Sequence, residues 1–162
     1  MNITRKIRVV SGDVAAALNQ TGCRTVGVGA SLKHFAANNS EYRRTEMDSV
    51  VEERALREIY LSGFKRAIDK SNPWTVMSSY NRLNGVQTSQ HHWLLTEVLR
   101  NEWRYDGLVM SDWYGIKDRP ASLLAGNDLA MPETSVINRS CCRRSNAERS
   151  LQRFSILPAC GC

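Results

Sequence analysis

The stretch GLVMSDWYG, residues 107–115, places an apolar run directly before the polar and aromatic sequence Ser-Asp-Trp-Tyr. A short apolar run bounded by glycine is typical of a buried strand. Asp112 is then either a residue where a strand meets its loop or part of a binding site. The two aromatic residues that follow favour a binding site, because their flat faces suit a ring-shaped ligand.

Strand-like and helical patterns alternate along the rest of the chain. The strand-like runs lie at residues 25–35, 75–80, 107–111 and, as a short end, 127–132, and the helical patterns lie at 12–22, 49–70, 90–103 and around 116–125. We expect the 49–70 helix to begin at a capping box, Ser49 with Glu52, and to bury an apolar stripe that includes Ile59. This alternation predicts parallel βα units, in either a doubly wound sheet or a barrel.

Polar side chains follow three of these strand-like runs. They are Lys33 and His34, then Ser78, Ser79 and Tyr80, then Ser111 and Asp112. Since function gathers at the carboxyl ends of parallel strands, we expect a cation, an imidazole, a phenol and a carboxylate on one face. Such a set favours a site for a sugar or another polyol. A nucleotide fold is disfavoured, because no glycine-rich phosphate loop follows any of the strands.

Composition limits the partners of the chain. Its 162 residues are enough for one domain with a real core. No stretch approaches the roughly 18 apolar residues of a membrane span, so no membrane partner is expected. The first residues are basic but lack an apolar run, so we expect no signal peptide, which favours the cytoplasm.

The net charge of +6 is unevenly distributed. Residues 1–133 carry 17 basic and 15 acidic side chains, whereas the tail, residues 134–162, carries five arginines and one glutamate. The tail also holds four of the five cysteines: Cys141, Cys142, Cys160 and Cys162. Their CC and CGC spacing is unusual for zinc, and a nucleic-acid arm would carry more aromatics than Phe154. The favoured interpretation is a non-native or poorly packed end, with no metal, no cofactor and no nucleic-acid partner.

Four segments, in order, resemble successive blocks of glycoside hydrolase family 3, the β-glucosidase group. They are KHFAANNSEYRR (33–44), VMSSYNRLNG (76–85), GLVMSDWYG (107–115) and AGNDLAMP (125–132). The resemblance covers about residues 10–133 and implies a (β/α)8 TIM-type barrel, of which this chain holds the later βα units. We therefore expect a partial barrel domain over residues 1–133, followed by the tail.

The resemblance also implies roles for single residues. Asp112 stands at the position of the catalytic nucleophile. The other matched residues belong to the sugar site. By the resemblance, Lys33 and His34 form hydrogen bonds with sugar hydroxyls, and Arg44 shapes the pocket. Met77 and Tyr80 flank the nucleophile, and Trp113 forms an aromatic wall.

Four of these assignments have an alternative. Asp112 can simply end a strand, and His34 can be a satisfied core histidine. Arg44 can form a surface ion pair with Glu41 or Glu46, and Met77 can pack in the core.

The expected function is retaining hydrolysis of terminal β-D-glucosidic or xylosidic bonds in a β-glucoside or oligosaccharide. A retaining glycosidase needs a second carboxyl group about 5–5.5 Å from the nucleophile. In the glucosidase branch this is a glutamate from a second domain, and after Asp112 only Glu133 and Glu148 could replace it. The alternative is therefore an inert or carbohydrate-binding fragment without the acid/base domain. A half-barrel would also expose strand edges, through which chains can self-associate.

Lys33 and His34 pose a geometric problem, because neighbours on a regular strand point to opposite faces. If both line one pocket, the backbone at residues 33–35 must be irregular. A non-proline cis peptide bond is one such irregularity.

Overall fold

The structure is a computed structural model that describes residues 10–18 and 27–132. The strands within these residues are β1 (Ser31–Phe35), β2 (Asp48–Ser49), β3 (Thr75–Ser78), β4 (Arg82–Leu83), β5 (Val86–Gln87) and β6 (Leu108–Met110). The helices are α1 (10–18), α2 (Glu53–Ala55, Leu56–Leu61 and Ser62–Ser71, which are contiguous), α3 (Trp93–Glu102, which has π-helical winding) and α4 (Arg119–Leu124), with a 3₁₀ turn at Thr88–Gln90.

A three-stranded parallel sheet in the order β1-β3-β6 forms the centre of the fold. Helix α2 lies between β1 and β3 in the chain, and α3 lies between β3 and β6, so two successive βα units build the sheet. The expected fold class, parallel βα units of a TIM-type barrel, is confirmed. A single parallel bridge, Met110 to Leu129, stands where the sequence predicts a fourth strand end.

The two faces of this sheet differ in burial. One face, here called the covered face, carries Val76 and Val109, both with no exposed surface. They pack in one core with the apolar side of α3: Leu94, Leu95, Val98 and Leu99. The other face, here called the open face, carries Met77 opposite Met110, and both side chains are partly exposed. A strand alternates its side chains between faces, so the sheet divides its residues between a core and an accessible surface.

Helix α2 differs from the predicted 49–70 helix in its winding and in the exposure of Ile59. Its middle, Leu56–Leu61, has π-helical winding. Leu56 and Leu61, five residues apart, are each 1% exposed, whereas Ile59 is 45% exposed. A stripe predicted with the α-helical period therefore misplaces Ile59, because i→i+5 winding brings a different residue onto the buried side.

The predicted capping box is wrong. Ser49 belongs to β2, and its hydroxyl donates to the Ala37 carbonyl at 2.8 Å. Glu52 precedes the helix and makes no side-chain capping bond. The hydroxyl that would have capped the helix holds the loop after β1 instead.

A second sheet, β2-β4-β5, lies beside this loop and was not predicted. Strands β4 and β5 pair antiparallel around the Asn84–Gly85 turn, where both residues have positive φ. Asn-Gly is a strong hairpin signal, and the turn is fixed further by Asn84, whose amide bonds both backbone groups of Val51.

Helix α1 agrees with the start of the predicted 12–22 helix, and residues 19–22 of that prediction lie outside the described residues. Within the described residues it spans 10–18, and Asp13 joins it to α2 through Arg66 (2.7 Å) and Lys70. Residues 27–30 are not strand, so β1 is shorter than the predicted 25–35 run. No helix among the described residues is long and apolar enough to cross a membrane.

Candidate active site

Asp112 and His34 meet at the carboxyl-terminal edge of the central sheet. The His34 Nε2 and Asp112 Oδ2 atoms are 3.3 Å apart. His34 lies in β1 and Asp112 follows β6, and β3 stands between these two strands in the sheet. The Asp112 side chain is 15% exposed and the His34 side chain 33%. The second carboxylate oxygen, Oδ1, accepts the Trp113 backbone N–H at 2.6 Å. Both oxygens of Asp112 are therefore near hydrogen-bond donors, and the side chain is still accessible.

The backbone of β1 is irregular where the sequence requires it. The Lys33–His34 and Phe35–Ala36 peptide bonds are both cis, and the pairing with β3 shifts register between Leu32 and Phe35. The prediction of an irregular backbone at residues 33–35 is confirmed.

Burial lowers the pKa of His34 below its ordinary value of 6.5, and the charges of Lys33 and Arg44 lower it further, while Asp112 opposes them. A lowered pKa favours the neutral imidazole near pH 7. A neutral imidazole has one N–H donor and one acceptor nitrogen. His34 thus places a polar ring, whose charged form is disfavoured by burial, within 3.3 Å of the Asp112 carboxylate.

Tyr80 fixes the backbone beside the carboxylate. Its hydroxyl donates to the Trp113 carbonyl at 2.7 Å. Burial raises the pKa of Tyr80, the nearby Asp112 charge and hydrogen bonding raise it further, and Arg44 opposes the rise. The phenol therefore keeps its proton near neutral pH and can serve as a donor.

Arg44 makes the ion pair with Glu41 that the sequence offers as its alternative role, and it also contacts Tyr80. Its guanidinium lies 5.4 Å from the centre of the Tyr80 ring, within cation–π range. The same group forms an ion pair with Glu41, whereas Glu46 pairs with Arg43. Arg44 is therefore an exposed residue with contacts on two sides, to Tyr80 and to Glu41.

The remaining predicted residues are accessible. Lys33 is exposed, and Met77 is partly exposed on the open face, outside the buried core cluster. Trp113 is 53% exposed, and its ring makes an edge-to-face contact with that of Tyr114 at 6.1 Å. The structure thus places His34 against Asp112, Tyr80 against the Trp113 carbonyl and Arg44 against the Tyr80 ring. The side chains of Lys33, Met77 and Trp113 are accessible.

A buried polar group under the site was missed from the sequence. The Asn81 amide is fully buried and donates to the Ala36 and Ala37 carbonyls at 3.3 and 3.5 Å and to the Ser49 hydroxyl at 3.3 Å. Ser79, also buried, donates to the Ala36 carbonyl at 3.2 Å. These bonds hold the chain just after β1. The run of polar residues at the end of β3, Ser-Ser-Tyr-Asn, signals polar groups at this position but not the distant residues that they bond.

Within residues 10–18 and 27–132, no cluster of histidine, cysteine and carboxylate side chains is suited to a metal ion. The cysteines of the tail lie outside the described residues. The side chains of the site supply one carboxylate, an imidazole, a phenol, two cations and an indole face.

The fold is that of TIM-barrel-type α/β proteins. The model of the Glycosyl hydrolase family 3 N terminal domain matches residues 6–139, and the chain belongs to that family. The resemblance inferred from the four sequence blocks is confirmed.

Similar proteins agree with this assignment. The exo-alpha-(1->6)-L-arabinopyranosidase of Bifidobacterium longum is 58% identical over 111 residues, which are 68% of this chain and 15% of that protein. The thermostable beta-glucosidase B of Acetivibrio thermocellus is 55% identical over 117 residues, 72% of this chain and 16% of that protein. The chain thus spans about one sixth of the length of these relatives.

A solved structure shows the same fold. Beta-glucosidase 3B of Thermotoga neapolitana in complex with glucose superposes with a TM-score of 0.81 at 46% identity, over 89% of this chain and 21% of that one. The sequence relatives and the fold therefore agree with the family to which the chain belongs.

Proposed function

We propose that the chain carries the nucleophile side of a retaining β-glycosidase site, with Asp112 as the nucleophile. The observation that carries this proposal is the contact of 3.3 Å between the accessible Asp112 carboxylate and His34 at the strand ends. In a retaining glycosidase the carboxylate is the form that attacks the anomeric carbon. The expected reaction is hydrolysis of terminal β-D-glucosidic or xylosidic bonds.

The chemistry proceeds in two displacements. An Asp112 oxygen attacks the anomeric carbon, the glycosidic bond breaks, and the leaving oxygen takes a proton from a second carboxyl group. Water then attacks the anomeric carbon, gives its proton to that second group, and releases the Asp112 carboxylate. Lys33 and His34 bind sugar hydroxyls in this proposal, Arg44 and Met77 shape the pocket, and Trp113 packs on the sugar C–H groups.

Tyr80 has a separate role. Its hydroxyl bond to the Trp113 carbonyl fixes the backbone that follows the nucleophile. A misplacement of about 1 Å can cost roughly 100-fold in rate, so holding this segment keeps the carboxylate at the distance required for attack.

Similar proteins support a sugar substrate and leave its identity open. The Thermotoga neapolitana structure is named as a glucose complex, and a relative is named as an L-arabinopyranosidase. The six-membered ring is common to both sugars. We therefore propose a terminal pyranoside as the substrate class, with β-D-glucoside as its first representative.

A second candidate function is carbohydrate binding without turnover. The chain spans 15% and 16% of the length of two relatives. Among the described residues, the groups in contact with the Asp112 carboxylate are the His34 ring and the Trp113 backbone N–H, and neither is a second carboxyl group. A general acid typically contributes about 10²–10⁴-fold to the rate. We therefore expect feeble turnover at best by the 162-residue chain.

Turnover of an aryl β-D-glucoside separates the two functions. The parent chain is compared with Asp112→Asn, which keeps the shape of the side chain and removes the nucleophile. Release of phenol by the parent and not by the variant supports the glycosidase. Glucose binding by both, with no release by either, supports the binding function. Release at equal rates from parent and variant contradicts the assignment of Asp112.

Self-association is proposed as well. Strand β1 stands at one end of the sheet order, and its outer edge pairs with no strand among the described residues. An unpaired edge presents backbone donors and acceptors to other chains.

We also propose that the tail, residues 134–162, is a segment separate from the catalytic part at 1–133. Light scattering of the chain and of a 1–133 version tests the proposed self-association. Association by both versions assigns the self-association to the sheet, and a monomer in both contradicts it.

A further inference from the structure

Tyr114 occupies a backbone position that disfavours its side chain. Residues 112–115 form a tight turn, closed by a bond of 2.9 Å from the Gly115 N–H to the Asp112 carbonyl. Tyr114 is the third residue of this turn and has φ of +61°. Glycine or asparagine is the usual residue at such a position, and a bulky residue there is uncommon.

The folded chain offers little in return for this conformation. The Tyr114 side chain is 60% exposed, and its ring contacts that of Trp113 edge to face, at 6.1 Å and 86°. It lies outside the buried core cluster of the described residues. Strained residues cluster at ligand-binding and active sites, so an external ligand is the natural explanation of an exposed aromatic ring here.

The turn also holds the ring in a fixed place. The Tyr114 backbone N–H bonds the Met131 carbonyl at 2.7 Å, and the Ser111 N–H bonds the Leu129 carbonyl at 2.8 Å. The Gly115 position is tight, because an added Cβ would lie 3.0 Å from the Asp112 carbonyl oxygen. The backbone that carries Tyr114 is therefore tied to the segment around residues 129–131 and to the turn that follows Asp112.

We infer that Tyr114 is a specificity-determining residue that binds the leaving group of the glycoside, the aryl ring or second sugar attached to the anomeric oxygen. This inference rests on the proposed function. In a site where Asp112 attacks the terminal sugar, the leaving group must point towards solvent. An exposed aromatic ring two residues from the nucleophile, perpendicular to the Trp113 wall, meets the group that emerges there. Aromatic rings bind both sugar C–H faces and aryl rings.

Saturation-transfer NMR with phenyl β-D-glucoside tests the inference without requiring turnover. In the parent chain we expect saturation of both the sugar and the phenyl protons. In Tyr114→Ala the phenyl signal should fall at least about twofold relative to the sugar signal, and the Kd should rise roughly 2- to 10-fold, the range of an aromatic contact. The Kd for methyl β-D-glucoside, which has no ring in its leaving group, should stay unchanged.

Matched variants separate the ring from the backbone. Tyr114→Phe keeps the ring and should behave as the parent. Tyr114→Gly removes the ring, fits the positive φ, and should lose the phenyl signal as Tyr114→Ala does. Tyr42→Ala removes another exposed tyrosine, 79% exposed, and should have no effect.

Two failures are distinguishable. Equal phenyl-to-sugar ratios in the parent and in Tyr114→Ala would overturn the inference and leave the proposed function standing. An absence of saturation on the sugar protons of the folded parent would contradict the proposed function, and the inference would fall with it.

Discussion

The covered and open faces of the central sheet use neighbouring residues of the same strand for different purposes. On β3, Val76 has no exposed surface and belongs to the core, whereas the next residue, Met77, is partly exposed. The covered face buries apolar area, which is the main favourable term in folding. The open face and its rim hold the accessible polar and sulfur-containing side chains near Asp112. Substitutions at neighbouring residues of one strand should therefore affect either the stability of the fold or the contact with a ligand.

The largest effect on stability should come from the covered face. Phe35 has no exposed surface and lies between Phe64 and Trp103, with ring centres at 5.1 and 5.8 Å. Phe35→Ala should lower the free energy of unfolding by about 3–5 kcal/mol, because it leaves a cavity. The measurement is a urea titration of the 162-residue chain.

Met77→Ala is the matched substitution on the open face. A site outside the core should lose less than about 1 kcal/mol. Equal losses for Met77→Ala and Phe35→Ala would show that the open face is packed as tightly as the covered face, and the distinction between the faces would fail.

A smaller effect is expected at the rim, from Tyr80→Phe. The substitution removes the hydroxyl that bonds the Trp113 carbonyl at 2.7 Å. Loss of one such bond should cost about 0.5–1.5 kcal/mol in urea unfolding, and glucose binding should weaken because the segment after Asp112 is less well held. Tyr42→Phe, on an exposed side chain, serves as the control and should change neither quantity. Unchanged glucose affinity in Tyr80→Phe would contradict the positioning role.

The smallest effect concerns pH and His34. Burial lowers the pKa of His34 in the folded chain below 6.5, its ordinary value. Between the two pKa values the unfolded chain binds more protons, so folding stability rises with pH through that window. The His34 contribution is complete above pH 6.5 and is lost as the pH falls through the folded pKa.

The difference in unfolding free energy between the parent and His34→Gln isolates this contribution. The unfolding free energy of the parent, relative to that of His34→Gln, should decrease as the pH is lowered from 7.5 to 5. The same subtraction with His92→Gln controls for the loss of an exposed histidine. A difference that moves in favour of the parent on acidification would show that His34 is stabilised as a cation.

The sequence predicted the main architecture and the meeting of His34 with Asp112. Both follow from one physical fact, that the carboxyl ends of parallel strands share an edge of the sheet. It also predicted the irregular backbone at residues 33–35, because two adjacent side chains were assigned to one pocket.

Three features were beyond the sequence pattern. The strands of the small sheet, such as β2 at Asp48–Ser49, contain two residues each, which is too short to show a period. The π-winding at Leu56–Leu61 depends on tertiary packing, and the α-helical period hides it. The Asn81 bonds reach residues 32 to 45 positions away, as in its contacts with Ser49 and Ala36. Local composition carries no record of such partners.

Covalent labelling of Asp112 is the most direct test of the account. An activated dinitrophenyl 2-deoxy-2-fluoro-β-D-glucoside needs no proton on its leaving group, so the first displacement depends on the nucleophile and not on a second carboxyl group. We predict a mass increase of one fluoroglucosyl group in the parent chain, mapped by peptide sequencing to Asp112, and none in Asp112→Asn. Labelling of a different carboxylate, or labelling of Asp112→Asn to the same extent as the parent, would contradict the claim that Asp112 is the nucleophile.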